Sequence, residues 1–168
     1  MERKKLLSLY LNRYNKAKNR IKTLRETESA IRADMNSPYQ SSYSKDAKVQ
    51  SSPSADKLPC FLIRIEEINE RILAQQAQAS RVMVEIMNIL DFLPSESDER
   101  NILEMKYIQK KSDKAIYSSM YISKSQFYKL RNRAFEKLLR YAKVNEILDL
   151  YERELDNAAK LCKEKSSA

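Results

Sequence analysis

From Leu58 to Leu93 the chain keeps one heptad register: Leu58, Phe61, Ile65, Ile68, Ile72, Gln75, Ala79, Val82, Ile86, Ile89 and Leu93 recur at alternating spacings of three and four. A period of 3.5 puts all these side chains on one stripe of an α-helix, which a strand with its period of two cannot do. The run ends at Pro94, whose ring cannot continue a helix. Gln75 is its single polar position, a candidate for setting register or a tolerated glutamine. Leu62, Leu73, Met83, Met87 and Leu90 flank the stripe and make it wider than a two-stranded seam. Met83 and Met87 read as core filler rather than a ligand surface.

Residues 2–35 carry a matching seam at Leu7, Tyr10, Tyr14, Ala17, Ile21, Leu24, Glu28, Ile31 and Met35. Its outer faces are basic, with ten Lys or Arg against four acids in residues 2–34. A solvated face is the first reading of that charge, and phosphate contact is the second. Between the seams, residues 36–57 change character, with seven Ser, two Pro and Val49 as the only aliphatic larger than Ala. Such a segment buries too little to offset its ordering entropy, which predicts a flexible connector. The two helical segments are then expected to fold back as a hairpin, residues 1–93. The surplus apolar width is left to meet a second chain or the C-terminal part of this one.

A second pattern follows over residues 94–143. Ser95 with Asp98 three residues later forms a capping-box-like start after Pro94. The helix it opens carries Ile102, Leu103, Met105, Tyr107 and Ile108 and ends near Lys110-Lys111. Ser112 can cap a helix running to Met120, Tyr121-Ile122-Ser123 turn the chain, and Ser123 can cap a helix starting at Lys124. Ile116, Met120, Ile122, Phe127 and Leu130 fall where a helix-turn-helix buries its inner faces. From Lys106 to Lys143 there are eleven Lys or Arg against two acids, Asp113 and Glu136. The chain's net charge is +9, and the rest of the sequence sums to zero, so this segment holds the whole excess. A basic, solvated helical pair would explain the charge alone. Turn, caps, apolar spacing and charge confined to one segment favour a DNA-binding motif.

Composition narrows the function. Glycine, His and Trp are absent. Without Gly there is no Walker loop, dinucleotide fingerprint or nucleophile elbow, each of which needs close backbone approach. Without His the commonest general base and the imidazole metal ligands are missing. Cys60 and Cys162 are too few for a four-thiolate zinc site and read as reduced thiols on apolar helix faces. The charged N-terminus lacks the apolar run of a signal peptide, and no apolar stretch reaches membrane-spanning length. The expectation is a non-enzymatic, cytoplasmic, all-α protein with no cofactor, no metal and no small-molecule substrate.

The segments Arg100-Asn-Ile-Leu-Glu-Met-Lys-Tyr107-Ile, Ser112, Ile116, Met120, Ser123-Lys-Ser-Gln-Phe-Tyr128 and Ala134-Phe-Glu-Lys-Leu138 resemble the fourth conserved region of bacterial sigma factors. With the segment from Tyr10 to Ile21 and Asn36-Ser-Pro38, the chain from about 5 to 140 is similar to the ArpU/RinA-type late-transcription regulators of phages and prophages of Gram-positive bacteria. The resemblance implies a double-stranded-DNA-binding activator of a late operon in a bacterial host, assisting host RNA polymerase. Two positions depart from the pattern: Tyr117 stands where a small residue is usual, and Tyr121 where the turn favours Gly.

In a sigma-like motif the first turns of the recognition helix enter the major groove. On that basis Lys124, Ser125, Gln126, Tyr128 and Lys129 face the bases, with Gln126 suited to an adenine edge and Lys124 or Lys129 to a guanine. Lys110, Lys111, Arg131 and Arg133 are placed to neutralise phosphates. The hairpin would supply a homodimer or higher oligomer that doubles these contacts. Residues 144–168 lie outside the resemblance; Ile147, Leu148, Tyr151, Leu155, Ala158 and Cys162 form an amphipathic stripe that could meet the hairpin, a second copy or a partner. The rival reading is a helical adaptor that binds RNA polymerase or a host regulator without reading DNA.

Overall fold

The computed structural model describes residues 2–36 and 57–166. Among them the chain is all-helical: α1 (Arg3–Leu11), α2 (Arg13–Asn36), α3 (Lys57–Leu90), α4 (Asp98–Leu103), a π-helical continuation (Glu104–Ile108), α5 (Asp113–Ser119), α6 (Lys124–Leu138) and α7 (Ala142–Ser166). The expected connector lies outside the described residues, except for its end residues Asn36 and Lys57, which are helical. The described chain divides into two compact units. Unit 1 joins residues 1–16 to 80–168, and unit 2 is 17–79.

In unit 2 the residues withdrawn from solvent are those at heptad positions. On α2 Ala17 is buried and Ile21, Leu24, Glu28, Ile31 and Met35 are partly buried, while nearly every position between them is exposed. On α3 Ile65, Ile68, Ile72 and Ala79 are buried, with Gln75 partly so. The flanking apolar residues do not share that shelter: Leu62 is 54% and Leu73 65% exposed. Cys60 is exposed too, as is Cys162 on α7, so neither thiol sits on a buried apolar face.

Unit 1 has a larger core, built from α1, the C-terminal turns of α3, the α4 helix with its π-helical end, the second half of α6, and α7. Leu6, Leu7, Tyr10 and Leu11 enter it from α1, Ile86, Ile89 and Leu90 from α3, Ala134, Phe135 and Leu138 from α6, and Val144, Leu148 and Tyr151 from α7. This grouping cuts across the borders read from sequence at 93/94 and 143/144, because apolar stripes from both flanks close over α4 and α6. Asn12 marks a one-residue irregularity between α1 and α2: its backbone stays right-handed helical, its N–H bonded to Ser8 O, and its side-chain oxygen accepts from Asn15 Nδ2 at 3.2 Å. The first seam thus spans both helices.

The first half of α7 resolves a choice the sequence leaves open. Tyr151 meets Tyr10 edge-on at 5.2 Å, and Asp149 pairs with Arg3 at 2.6 Å, so this half belongs to the unit 1 core. Beyond Leu155 its side chains are exposed as far as Cys162.

Candidate nucleic-acid interface

Both serine caps stand where the sequence places them. Ser112 accepts from Ala115 N–H at 3.2 Å and opens α5, and Ser123 accepts from Gln126 N–H at 3.2 Å and opens α6. Each satisfies one of the N–H groups that a helix start leaves without an intrahelical partner. The cap of α4 differs. Ser97, not Ser95, accepts from Arg100 N–H, and its hydroxyl also donates to Pro94 O at 2.8 Å. The turn that Pro94 begins takes up two residues before the helix can start, which carries the cap position past Ser95.

A small second core holds α5 against α6. Ile102 of α4, Ile116 of α5 and Phe127 of α6 are fully buried, with Met105, Tyr117, Met120, Ile122, Tyr128 and Leu130 packed around them. α4 thus serves both cores, presenting Ile102 to one and Leu103 to the other. Helix α6 does the same along its length, with Phe127 in the small core and Ala134, Phe135 and Leu138 in the large one. Lys137 fastens the far end, donating to Glu99 at 2.9 Å and holding that carboxyl below the ordinary carboxylate range. Beside it Glu136 pairs with Lys4 of α1 at 2.8 Å, which lowers its pKa as well.

The two departures from the sigma-like pattern are accommodated in different ways. Tyr117 turns its ring into the small core, 6.3 Å from Phe127 and at 63° to it. Tyr121 adopts φ 55°, the left-handed region a glycine would enter freely, and the residue is 97% exposed. Lys110, at the end of the π-helical segment, takes the same region with φ 59°.

The predicted contact residues separate into two groups. Lys124, Ser125, Gln126 and Lys129 are exposed at the N-terminal part of α6, and Arg133 is exposed one turn further on. Lys110 and Lys111 are exposed before α5, and so is Lys114, a cation that helix-turn-helix spacing does not single out. Tyr128 and Arg131, in contrast, belong to the packing. The Tyr128 ring lies 5.1 Å from Phe127, its hydroxyl donates to Asp113 at 3.4 Å, and the Arg131 guanidinium covers it at 4.9 Å. Asp113 also holds Lys106, so one carboxylate ties the π-helical segment, α5 and α6 together. The Arg131 Nε is buried without a hydrogen-bond partner. Tyr121 is a surface feature that sequence reasoning misses. The signal for it is the non-glycine residue at the turn, which on sequence grounds alone implies only a conformational cost.

Arranged this way, the exposed side of early α6 offers amide, hydroxyl and ammonium groups and no acid, the helix's one acid, Glu136, lying in its last turn, while its apolar side is spent on packing. Such a surface can hydrogen-bond base edges and neutralise phosphates. Among the described residues no cluster of His, Cys, Asp or Glu could hold a metal ion, and no helix is long and apolar enough to cross a membrane. No curated protein and no solved structure matches the chain. A family model does match, over residues 39–139 of the 168. The chain belongs to the family described as "Protein of unknown function (DUF1492)".

Proposed function

We propose that the protein is a sequence-specific DNA-binding transcription regulator, with α5 and α6 as a helix-turn-helix and α6 as its reading helix. The observation that carries this reading is the division of α6. Phe127 and Leu130 face a core shared with α5, while Lys124, Ser125, Gln126 and Lys129 stay exposed at the end that a recognition helix presents to the major groove. Gln126 would read an adenine edge, Lys124 or Lys129 a guanine, and Lys110, Lys111, Lys114 and Arg133 would fix the duplex through its phosphates. The resemblance to late-transcription regulators of phages extends this to activation of an operon with host RNA polymerase. The seams of α2 and α3 would pair as an antiparallel hairpin, and the exposed Leu62 and Leu73 would bring two copies together.

Those same exposed leucines favour the second reading, a helical adaptor that binds a protein partner and no DNA. Selection of bound sequences from a random duplex pool, followed by titration in a salt gradient, separates the two. Enrichment of one motif with salt-sensitive affinity is the expected result; salt-insensitive or absent duplex binding would leave only the adaptor. Sedimentation of the full chain at micromolar concentration should give a dimer or larger, and a monomer would remove the self-association.

A further inference from the structure

Unit 2 carries positive charge of its own. Between Arg13 and Arg25 six of thirteen residues are Lys or Arg and none is acidic. Four of these, Lys18, Arg20, Lys22 and Arg25, lie in unit 2, and all four are exposed. Helical periodicity places Arg20 on one flank of the Ala17–Ile21–Leu24 stripe and Lys18, Lys22 and Arg25 on the other. Lys18 with Lys22, and Lys22 with Arg25, stand at spacings where like charges destabilise a helix. Lys22 reaches Glu26 at 3.6 Å with both side chains mostly in solvent, and neither Arg20 nor Arg25 has an ion-pair partner among the described residues. Glu66, Glu67 and Glu70 of α3, in the same unit, are exposed and make no ion pair with Arg20 or Arg25. Further along α2 the signs alternate and the helix does pair internally, Arg32 with Glu28 at 2.8 Å.

Arg20 and Arg25 therefore carry charge that no ion pair among the described residues balances, a deficit that an external polyanion would fill. We propose that residues 18–25 of α2 form a second, sequence-independent contact for the phosphate backbone of duplex DNA. This rests on the reading of α6 as a DNA-contacting helix and adds a site outside it. A small anion is a poor fit, because the cations spread over two flanks instead of converging. A membrane surface fits less well too, since an interfacial helix needs an exposed apolar face beside its cations, and here Ala17, Ile21 and Leu24 are drawn into the seam. A duplex presents phosphates as an extended line, which dispersed cations can track.

The test uses the full chain, with Arg20→Gln/Arg25→Gln and the charge-keeping Arg20→Lys/Arg25→Lys. Each is titrated with a selected duplex and a random one from about 50 to 200 mM salt. The Gln pair should lower the slope of log affinity against log salt by about one unit for each phosphate no longer neutralised, on both duplexes. At 0.1 M salt that corresponds to roughly tenfold weaker binding per phosphate. Base preference and helical circular dichroism should be unchanged, and the Lys pair should keep the parent slope. An unchanged slope in the Gln pair overturns the α2 contact; if Gln126→Ala still relaxes base preference in that assay, the α6 reading survives it. Duplex binding without salt dependence in the parent would sink both. Loss of binding to phosphatidylserine vesicles, with duplex binding intact, would reassign the cations to a membrane surface.

Discussion

Tyr121 and Arg131 show how far single residues can be read before a structure. At Tyr121 the requirement for a left-handed turn is legible, since the position between two capped helices favours Gly; the escape of its ring into solvent is not. With no side-chain packing to lose, Tyr121→Gly should stabilise the fold by up to about 1 kcal/mol, reduced by the greater freedom Gly gives the unfolded chain. Urea unfolding of the two proteins decides this, and a loss of stability would mean that the ring packs in solution. Helical spacing alone puts Arg131 on phosphates. That spacing cannot foresee that Tyr128, one turn back, anchors to Asp113 and offers its face to the guanidinium. Arg131→Ala is therefore expected to cost stability by about 1 kcal/mol, against near zero for the exposed Arg133→Ala. On duplex DNA Arg133→Ala should weaken selected and random sequences alike. Gln126→Ala should instead cost roughly 1–3 kcal/mol on the selected site only. Equal losses on both duplexes for Gln126→Ala would remove it as a reader.

Elements are most legible where their signals are local. The caps at Ser112 and Ser123 lie next to the apolar residues whose spacing defines α5 and α6, so cap and stripe corroborate each other within a few residues. Ser112→Ala and Ser123→Ala should each cost about 1 kcal/mol, the usual loss of an N-cap, measurable as a shift in the urea midpoint without a change in slope. Ser95→Ala should have no comparable effect, because Ser97 holds that cap. Sequence misplaces the α4 start since two serines flank Glu96, and only the turn made with Pro94 O selects between them. The irregularity at Asn12 has no sequence signal. Its backbone stays right-handed helical, so heptad spacing runs through it unchanged. The π-helical segment has no sequence signal either. Its wider turn is closed by the backbone, Gln109 N–H bonding to Glu104 O five residues back at 3.0 Å, and the segment meets Asn15, which donates to Lys106 O at 3.4 Å, and Ser8, whose hydroxyl meets that of Tyr107 at 3.1 Å.

Over the whole molecule, what sequence leaves unread is which elements share a core. Periodicity reports that a stripe is buried but not by what, so it joins α1 to the α2–α3 seam and leaves α7 without a partner. Both close over unit 1, and Tyr10 records that closure. Burial chiefly, and then Glu85 beside its hydroxyl, push the Tyr10 pKa up to about 12; burial raises Tyr151 as well. A tyrosine with its folded pKa raised contributes stability that is complete below the unfolded value of 10 and is lost as pH rises toward 12. Alkaline unfolding should therefore steepen in that window, and Tyr10→Phe should flatten it; an unaltered profile in the variant would exclude Tyr10 as its source. The shared core also decides what can stand alone. A fragment of residues 94–143 holds both serine caps and the small core, yet it lacks Leu6, Leu7 and Leu11 from α1, Ile86, Ile89 and Leu90 from α3, and Val144 and Leu148 from α7. Leu103, Tyr107, Phe135 and Leu138 would then face water. Burial of a large aliphatic or aromatic side chain is worth about 1.5–3 kcal/mol, so exposing four of them is comparable to the roughly 5–15 kcal/mol that holds a typical domain together. The fragment should accordingly show no cooperative unfolding transition. In the full chain, Leu7→Ala should cost roughly 2–5 kcal/mol, although the residue lies far in sequence from α6. Urea unfolding followed by circular dichroism measures both. A cooperatively folded 94–143 fragment, together with a nearly neutral Leu7→Ala, would mean that α1 only decorates the α4–α6 unit, and that α5 and α6 fold without it.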